Sequence, residues 1–163
     1  MEIRTAERKD MEALLSIYNY EVLNGVATFD LEPKTMEERM KWFEAHNVEN
    51  HPLIVAVIDG RAVGYASLSG YREKEAYRET VELSVYVDHR YRRRGVARAM
   101  MEAILEEARS RDDIHTVISV ITGVNEASIR LHREFGFTHC GTMKQVGKKF
   151  GKLLDIDNFQ LMV

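Results

Sequence analysis

The sequence predicts an α/β (α+β) fold in one domain spanning residues 1–163. Residues 81–87 alternate at period two and are rich in valine, which predicts a strand, whereas apolar residues from Val96 onward recur every three or four positions, as in an amphipathic helix. Asp-Gly at 59–60 separates two apolar runs, as in a β-hairpin. With 45% hydrophobic and 30% charged residues, the chain has the composition of a globular domain that buries a substantial core.

The predicted elements follow in the order strand, two helices, three strands, helix, strand, helix and two strands. The polar residues 71–79 form a loop in this prediction, and the basic, glycine-containing residues 146–152 join the last two strands. The predicted strands are 2–7, 53–58, 62–70, 81–87, 115–122, 137–143 and 153–162.

The first two predicted helices precede the first hairpin. One follows the apolar positions from Met11 to Val22. The other begins with Thr35-x-x-Glu38, a capping box in which both side chains bind backbone N–H groups that lack a helical partner. The apolar residues of this second helix that are expected to face the core are Met36, Met40 and Phe43, and Trp42 is expected to be a packing residue.

Composition restricts the class of partner. The net charge of −3 indicates no general affinity for nucleic acid. The single cysteine, Cys140, excludes an internal disulfide and fits a reducing, cytoplasmic compartment. No run is long and apolar enough to span a membrane and no signal peptide is evident, so neither a membrane nor a metal partner is expected.

The join between the strand 81–87 and the following helix carries three consecutive arginines and then Gly95. The first N–H groups of a helix have no intrahelical partner, and the helix dipole adds positive charge. A glycine there lets an anion approach the backbone, as does the small Ala97. The alternative is a plain connection whose arginines face solvent. Arg92-x-x-Gly95-x-Ala97 resembles the pyrophosphate loop of the GNAT acyl-CoA N-acetyltransferases.

The order of elements is also similar to the GNAT fold over essentially the whole chain. The resemblance implies a mixed, mostly antiparallel central sheet of about six to seven strands flanked by about four helices. It also implies acetyl-CoA as the co-substrate.

A predicted helix at 125–135 carries a second match. Asn125-x-x-Ser128-x-x-x-His132, followed by Gly-Phe at 136–137, resembles the GNAT motif Asn-x-x-Ala-x-x-x-Tyr-x-x-x-Gly-Phe. The three side chains lie at i, i+3 and i+7 and therefore share one helix face. Asn125 is also a plausible N-cap, a role that can coexist with cofactor contact.

The histidine at position 132 points to a subfamily. Phosphinothricin and methionine sulfoximine N-acetyltransferases carry histidine in place of the usual tyrosine. They share Val-Glu-x-Ser-Val-Tyr-Val, matched by residues 81–87, and Gln-Val-Gly-x-Lys-Phe-Gly, matched by 145–151. The resemblance implies transfer of an acetyl group to the α-amino group of a small amino acid or analogue, by an enzyme that is commonly a homodimer.

Two side chains are candidates for proton transfer. Glu82 lies on the polar face of the central strand, where partial burial would raise its pKa and suit a general base, acting directly or through water. The alternative for Glu82 is an ion pair with a nearby lysine or arginine. His132 titrates near neutrality, so it protonates the thiolate, holds the cofactor, or is structural. The oxyanion donor is expected to be a backbone N–H group near residues 83–85.

If the binding residues of the family are carried over by position, acetyl-CoA would bind the strand backbone, the anion loop and the second motif. The expected contacts are Val85, Tyr86, Val87, Arg92, Arg93, Arg94, Gly95, Val96, Ala97, Arg98, Asn125 and His132. The acceptor would meet Arg72, Glu73, Lys74, Glu82, Leu83, Ser84 and Lys149.

Within that second set, Arg72 occupies the position of the subfamily's substrate arginine and can bind an oxyanion bidentately. Glu73 and Lys74 stand where relatives carry an aromatic residue. Lys148 and Lys149 either reach a site, their own or that of a neighbouring subunit, or face solvent.

Other functions stay open at this point. The same fold acts on protein N-termini or polyamines, although the basic residues among 72–74 argue weakly against a polyamine. A non-catalytic acyl-CoA sensor is a third reading, against which the presence of both Glu82 and His132 counts.

Overall fold

The computed structural model describes residues 1–163 and confirms the fold class. Its elements are β1 (Glu2–Thr5), α1 (Met11–Asn24), α2 (Met36–Glu44), β2 (Leu53–Ile58), β3 (Arg61–Gly70), β4 (Thr80–Val87), α3 (Val96–Arg109), β5 (Thr116–Thr122), α4 (Glu126–Glu134), β6 (Thr138–Lys149) and β7 (Lys152–Met162). The seven strands form one sheet in the order β1-β2-β3-β4-β5-β7-β6. Only the β4–β5 pair is parallel.

Alternation along the strands divides the core between the two faces of the sheet. Met100 and Ile104 of α3 pack in one cluster with Leu83 of β4. Leu14 of α1 packs in a second cluster with Val55 of β2. No helix of the fold combines the length and the apolar character that crossing a membrane requires.

The two central strands separate along their length. β4 pairs with β5 only from Thr80 to Glu82, opposite Thr116 to Ile118. Beyond this short ladder β4 continues to Val87 with its β3 side still paired, while its β5 side has no strand partner. The backbone groups along that open edge are therefore available to a ligand.

Several local predictions are confirmed. Thr35 Oγ1 accepts from the Glu38 N–H group, and the Glu38 carboxylate accepts from the Thr35 N–H group at 2.8 Å, which is the capping box. The turn at 59–60 has φ values of 50° and 75°, so both residues adopt the left-handed conformation of a tight hairpin turn.

Two predictions are wrong. In the predicted stripe of α2, Met40 and Phe43 do pack against the core, as does Trp42, but Met36 is 39% exposed. The buried residue of α2 is Arg39, because its guanidinium packs on the ring of Trp42. The segment 146–152 is not a loop: β6 continues to Lys149 and β7 begins at Lys152, so only Phe150 and Gly151 form the turn. Long-range pairing of the two strands overrides the basic, glycine-containing composition.

Candidate active site

A cleft of about 290 Å³ opens where β4 and β5 separate. Both strands, the start of α4 and the segment after α1 line it. It brings together many of the predicted residues. Its lining is Ala27, Thr28, Phe29, Glu82, Leu83, Ser84, Val85, Tyr86, Ser119, Val120, Ile121, Thr122, Asn125, Ser128, His132 and Ile156.

Glu82 is half-buried at the narrow end of this cleft, where the parallel ladder stops. Its strand neighbours are Ser69 of β3 and Ile118 of β5. No hydrogen bond or ion pair involves its carboxylate, so the expected alternative of an ion pair with a lysine or arginine is not what the structure shows. Burial without a compensating partner raises the pKa of Glu82. An accessible carboxylate with a raised pKa has the properties of a general base.

His132 is buried, and both ring nitrogens have partners. Nδ1 lies 2.7 Å from the Ser128 carbonyl oxygen, which only accepts, so Nδ1 carries the hydrogen. Nε2, 2.8 Å from Ser119 Oγ, therefore accepts from that hydroxyl. Burial lowers the pKa of His132, which favours the neutral ring at neutral pH. Both hydrogens of this pair are therefore engaged within the protein, and the Ser119 hydroxyl, which lines the cleft, could donate there only by turning away from His132.

Ser119 was missed by the sequence reasoning. It lies between the buried Val117 and Ile121 on β5. A single hydroxyl on the inward face of an apolar strand is the signal that was available, because a buried hydroxyl requires a partner. That partner, His132, belongs to a different element.

The predicted anion loop has the expected backbone. Gly95 is the N-cap of α3 with φ 78°, and no side chain caps the helix there. The first N–H groups of α3 therefore have no acceptor within the helix. No protein atom lies within 4 Å of the position that a Cβ on Gly95 would take, so the space in front of the loop is open. Val96 is buried and Ala97 half-buried behind it.

The arginines of the loop divide into two groups. Arg92 forms an ion pair with Glu21 of α1, and Arg98 forms one with Glu134 of α4. Arg93 and Arg94 are exposed and form no ion pair. Two cations are therefore available to an anion, while the other two attach the loop to neighbouring helices.

Three side chains hold the segment after α1 against the cleft, each from a different strand. Thr122 Oγ1 donates to the Val26 carbonyl at 2.6 Å, and the Tyr86 hydroxyl donates to the next carbonyl, of Ala27, at 3.4 Å. Lys149 Nζ donates to the carbonyl after that, of Thr28, at 2.8 Å. Three consecutive carbonyls are thus fixed by the sheet.

Lys149 does not face solvent, so that alternative is wrong. The side chain is buried at 3% exposure, and Nζ also donates to the Glu21 carbonyl at 3.3 Å. Burial lowers the pKa of Lys149. Nearby, the ring of Phe29 occupies the place that a Cβ on Gly147 of β6 would take, so a larger residue there would displace the ring.

Arg72, Glu73 and Lys74 are exposed and line neither this cleft nor the cavity beside it. Arg72 lies over the rings of Tyr71 and Tyr77, 5.1 and 5.8 Å from their centroids. These three residues are therefore not part of the lining that contains Glu82. No group of three or more His, Cys, Asp or Glu side chains is arranged to hold a metal ion.

Residues 3–157 match the acetyltransferase (GNAT) domain family. The chain belongs to the GNAT acetyltransferases. Among GNAT relatives, it is 37% identical over 163 residues to the L-methionine sulfoximine/L-methionine sulfone acetyltransferase of Salmonella typhimurium, covering all of this chain and 95% of that one. The expected family, fold and enzyme class are confirmed.

The chain is also similar to solved structures of GNAT acetyltransferases. The chain is similar to a ribosomal-protein-alanine N-acetyltransferase from Brucella melitensis, with a TM-score of 0.96, 42% identity and full coverage of both chains. It is also similar to a phosphinothricin acetyltransferase from Sinorhizobium meliloti in complex with acetyl-CoA, with a TM-score of 0.95 and 33% identity over 99% of this chain and 88% of that one.

Proposed function

We propose that this acetyltransferase moves the acetyl group of acetyl-CoA to the α-amino group of a small amino acid or analogue, of the methionine sulfoximine, methionine sulfone or phosphinothricin type. The observation that carries the proposal is the unpaired carboxylate of Glu82 in a cleft between separated strands. The names of the Salmonella and Sinorhizobium relatives support the acceptor class.

Acetyl-CoA would lie along the open edge of β4. The pantetheine chain pairs with backbone groups of residues 85–87, which have no strand partner on that side. The pyrophosphate binds the N–H groups that begin α3, with Arg93 and Arg94 as cations. Asn125 and His132 line the cleft and lie beside the thiol end.

The chemistry then follows from the charges in the cleft. Glu82 takes a proton from the acceptor ammonium, directly or through water, and the free amine attacks the thioester carbon. A C–N bond forms and the C–S bond breaks. Backbone N–H groups near residues 83–85 stabilise the oxyanion. The nitrogen then loses its second proton and the thiolate gains one, so CoA leaves as the thiol. We assign stabilisation of the thiolate to the Ser119 hydroxyl, which would turn its hydrogen from His132 Nε2, 2.8 Å away, toward the sulfur.

The test is release of thiol from acetyl-CoA with a panel of amines. The panel contains phosphinothricin, methionine sulfoximine, methionine sulfone, ordinary amino acids and spermidine. Release with the first three is the expected result. Release only with another amine would keep the acetyltransferase and discard the acceptor class. No release, with acetyl-CoA still bound, would favour an acyl-CoA sensor and overturn the proposal.

A protein N-terminus is the second candidate acceptor. The similarity to the ribosomal-protein-alanine N-acetyltransferase of Brucella melitensis favours it. A peptide that begins with alanine, added to the same panel, separates the two. Rapid acetylation of the peptide alone would select this candidate.

A cytoplasmic homodimer is the proposed form of the enzyme. Its support is the β6–β7 hairpin, where β6 is an edge strand and several large apolar side chains are exposed by half or more. Light scattering during size-exclusion chromatography should give twice the chain mass of 18.8 kDa. The exposed apolar side chains are Met143, Val146, Phe150 and Leu153.

A further inference from the structure

A second cavity, of about 400 Å³, adjoins the active-site cleft. It lies between α1, α2 and the middle of β3 and β4. Ser84 and Tyr86 line both cavities, so the two spaces meet on the polar face of β4. Glu82 precedes Ser84 by two residues, which is about 7 Å along a strand. A small molecule at Glu82 can therefore extend into the second cavity.

Arg39 is the unusual group in this cavity, because it is a buried cation without an anion. The residue is 6% exposed, and no carboxylate forms an ion pair with it. Its guanidinium packs 3.5 Å from the ring centroid of Trp42 and 4.2 Å from that of Tyr18. Nη2 donates to the Tyr65 hydroxyl at 2.7 Å, and Nε is buried with no partner.

Stacking on aromatic rings offsets part of the cost of burying the charge. It does not satisfy the N–H groups, which point outward in the guanidinium plane. A buried donor without an acceptor costs free energy, so native proteins rarely keep one without a function. Nη1 of Arg39 also donates to no protein atom. The fork of Arg39 is thus largely unused.

Three hydroxyls of the lining have hydrogens without a protein partner. The Tyr65 hydroxyl accepts from Arg39, and its own hydrogen binds no protein atom. The hydroxyls of Ser67 and Ser84, which face each other across β3 and β4, have no protein partner either. The unused polar groups around this cavity are therefore groups that can donate.

The two carboxylates at the rim are occupied elsewhere. Asp30 accepts from the Tyr18 hydroxyl and lies 3.8 Å from Lys34 Nζ. Glu38 closes the capping box at the start of α2. Neither forms an ion pair with Arg39, so its guanidinium has no direct carboxylate partner although Asp30 and Glu38 line the same cavity.

We infer that this cavity binds the anionic group of the acceptor, and that Arg39 is its principal ligand. The inference rests on the proposed function and names the part of the acceptor that lies beyond Ser84. A carboxylate or phosphinate group has oxygen atoms that can accept hydrogen bonds from Arg39, Tyr65 and Ser67. The acceptor amine then lies toward Glu82. Arg72, outside both cavities, is not needed for this contact.

Trp42 provides a direct readout, because it is the only tryptophan of the chain and contacts Arg39. Phosphinothricin titrated in the absence of acetyl-CoA should change its fluorescence and saturate. In Arg39→Met the dissociation constant should rise by roughly 10- to 100-fold, the effect of losing hydrogen bonds to a charged group. Arg39→Lys, which keeps the charge but not the fork, should recover part of the affinity.

Arg61→Met is the matched control, since Arg61 is exposed and lines neither cavity. It should bind phosphinothricin as the wild type does. Binding unchanged in Arg39→Met would overturn the inference. So would an equal loss for phosphinothricin and for an acceptor analogue without any anionic group, because that pattern indicates a packing role for Arg39.

Two analogues identify which anion occupies the cavity. One is phosphinothricin without its carboxylate, 3-aminopropyl(methyl)phosphinate, and the other is methionine, which has the carboxylate alone. The analogue whose KM responds to Arg39→Met carries the bound group, and a response from neither would overturn the inference. If Trp42 responds to acceptors but none is acetylated, the binding inference stands and the proposed function fails.

Discussion

Replacing Glu82 by glutamine should remove the base while keeping the shape of the cleft. A positioned general base contributes about 10²–10⁴-fold to the rate. Turnover should fall by that factor, which corresponds to about 3–5 kcal/mol in activation free energy. The acetyl-CoA dissociation constant should change little, because the proposed anion loop lies at the other end of β4.

The same substitution should make the protein more stable at neutral pH. Burial raises the pKa of the Glu82 carboxyl in the folded state. A group of this kind adds stability below its unfolded pKa, and that stability is lost as the pH rises through the folded pKa. At pH 7 the wild type therefore carries the cost of a half-buried, unpaired carboxylate. Glutamine carries no charge, so the variant should have the larger free energy of unfolding.

Two measurements check both effects. The pH profile of kcat/KM should rise with pH through the raised pKa of Glu82 in the wild type, and this limb should be missing in the variant. Urea denaturation should show the gain in stability at pH 7 and nearly none below about pH 4, where the carboxyl is protonated in both states.

Glu102→Gln is the matched control, because Glu102 is exposed on α3 and has no partner. It should keep the wild-type rate and stability. An unaltered pH profile in Glu82→Gln would refute the general-base role. A stability difference that does not depend on pH would refute the electrostatic explanation.

Three further changes test other parts of the structure. Gly95→Val should weaken acetyl-CoA binding at least about tenfold by calorimetry. Gly60→Val, with a similar φ of 75° in a remote turn, controls for backbone strain. Equal affinities of Gly95→Val and the wild type for acetyl-CoA would refute the anion loop. Lys149→Met should speed hydrogen exchange about tenfold in the segment after α1, and the exposed Lys148→Met should not. Thr35→Ala should lower the free energy of unfolding by about 1 kcal/mol in urea, and no change would contradict the capping box.

Sequence reasoning succeeds where the signal is local. The strand before Gly95 is indicated by the alternation of its own residues, and the helix after it by apolar residues every three or four positions. The capping box at Thr35 and the turn at 59–60 are equally local. The β4 side of the cleft, residues 82–86, was predictable for this reason.

The rest of the site depends on partners that are distant in the chain. Met36 looked like the better core residue of α2, but only the fold brings Trp42 and Tyr65 together around the guanidinium of Arg39. The role of Ser119 depends on its hydrogen bond to His132, which lies on another element. A charged side chain is predicted to be exposed from its type alone, and its burial becomes evident only with the neighbours that surround it.

The three hydrogen bonds that hold the segment after α1 also impose an order of events. Lys149 reaches the Glu21 and Thr28 carbonyls across 128 and 121 residues of sequence. Its strand, β6, is held to the sheet through β7, which pairs with β5 and ends at Met162. During synthesis, α1 leaves the ribosome long before these partners exist, and such distant contacts form slowly. The wall of the cleft is therefore completed only after the last strand has paired, and acetyl transfer reports that the whole chain has folded.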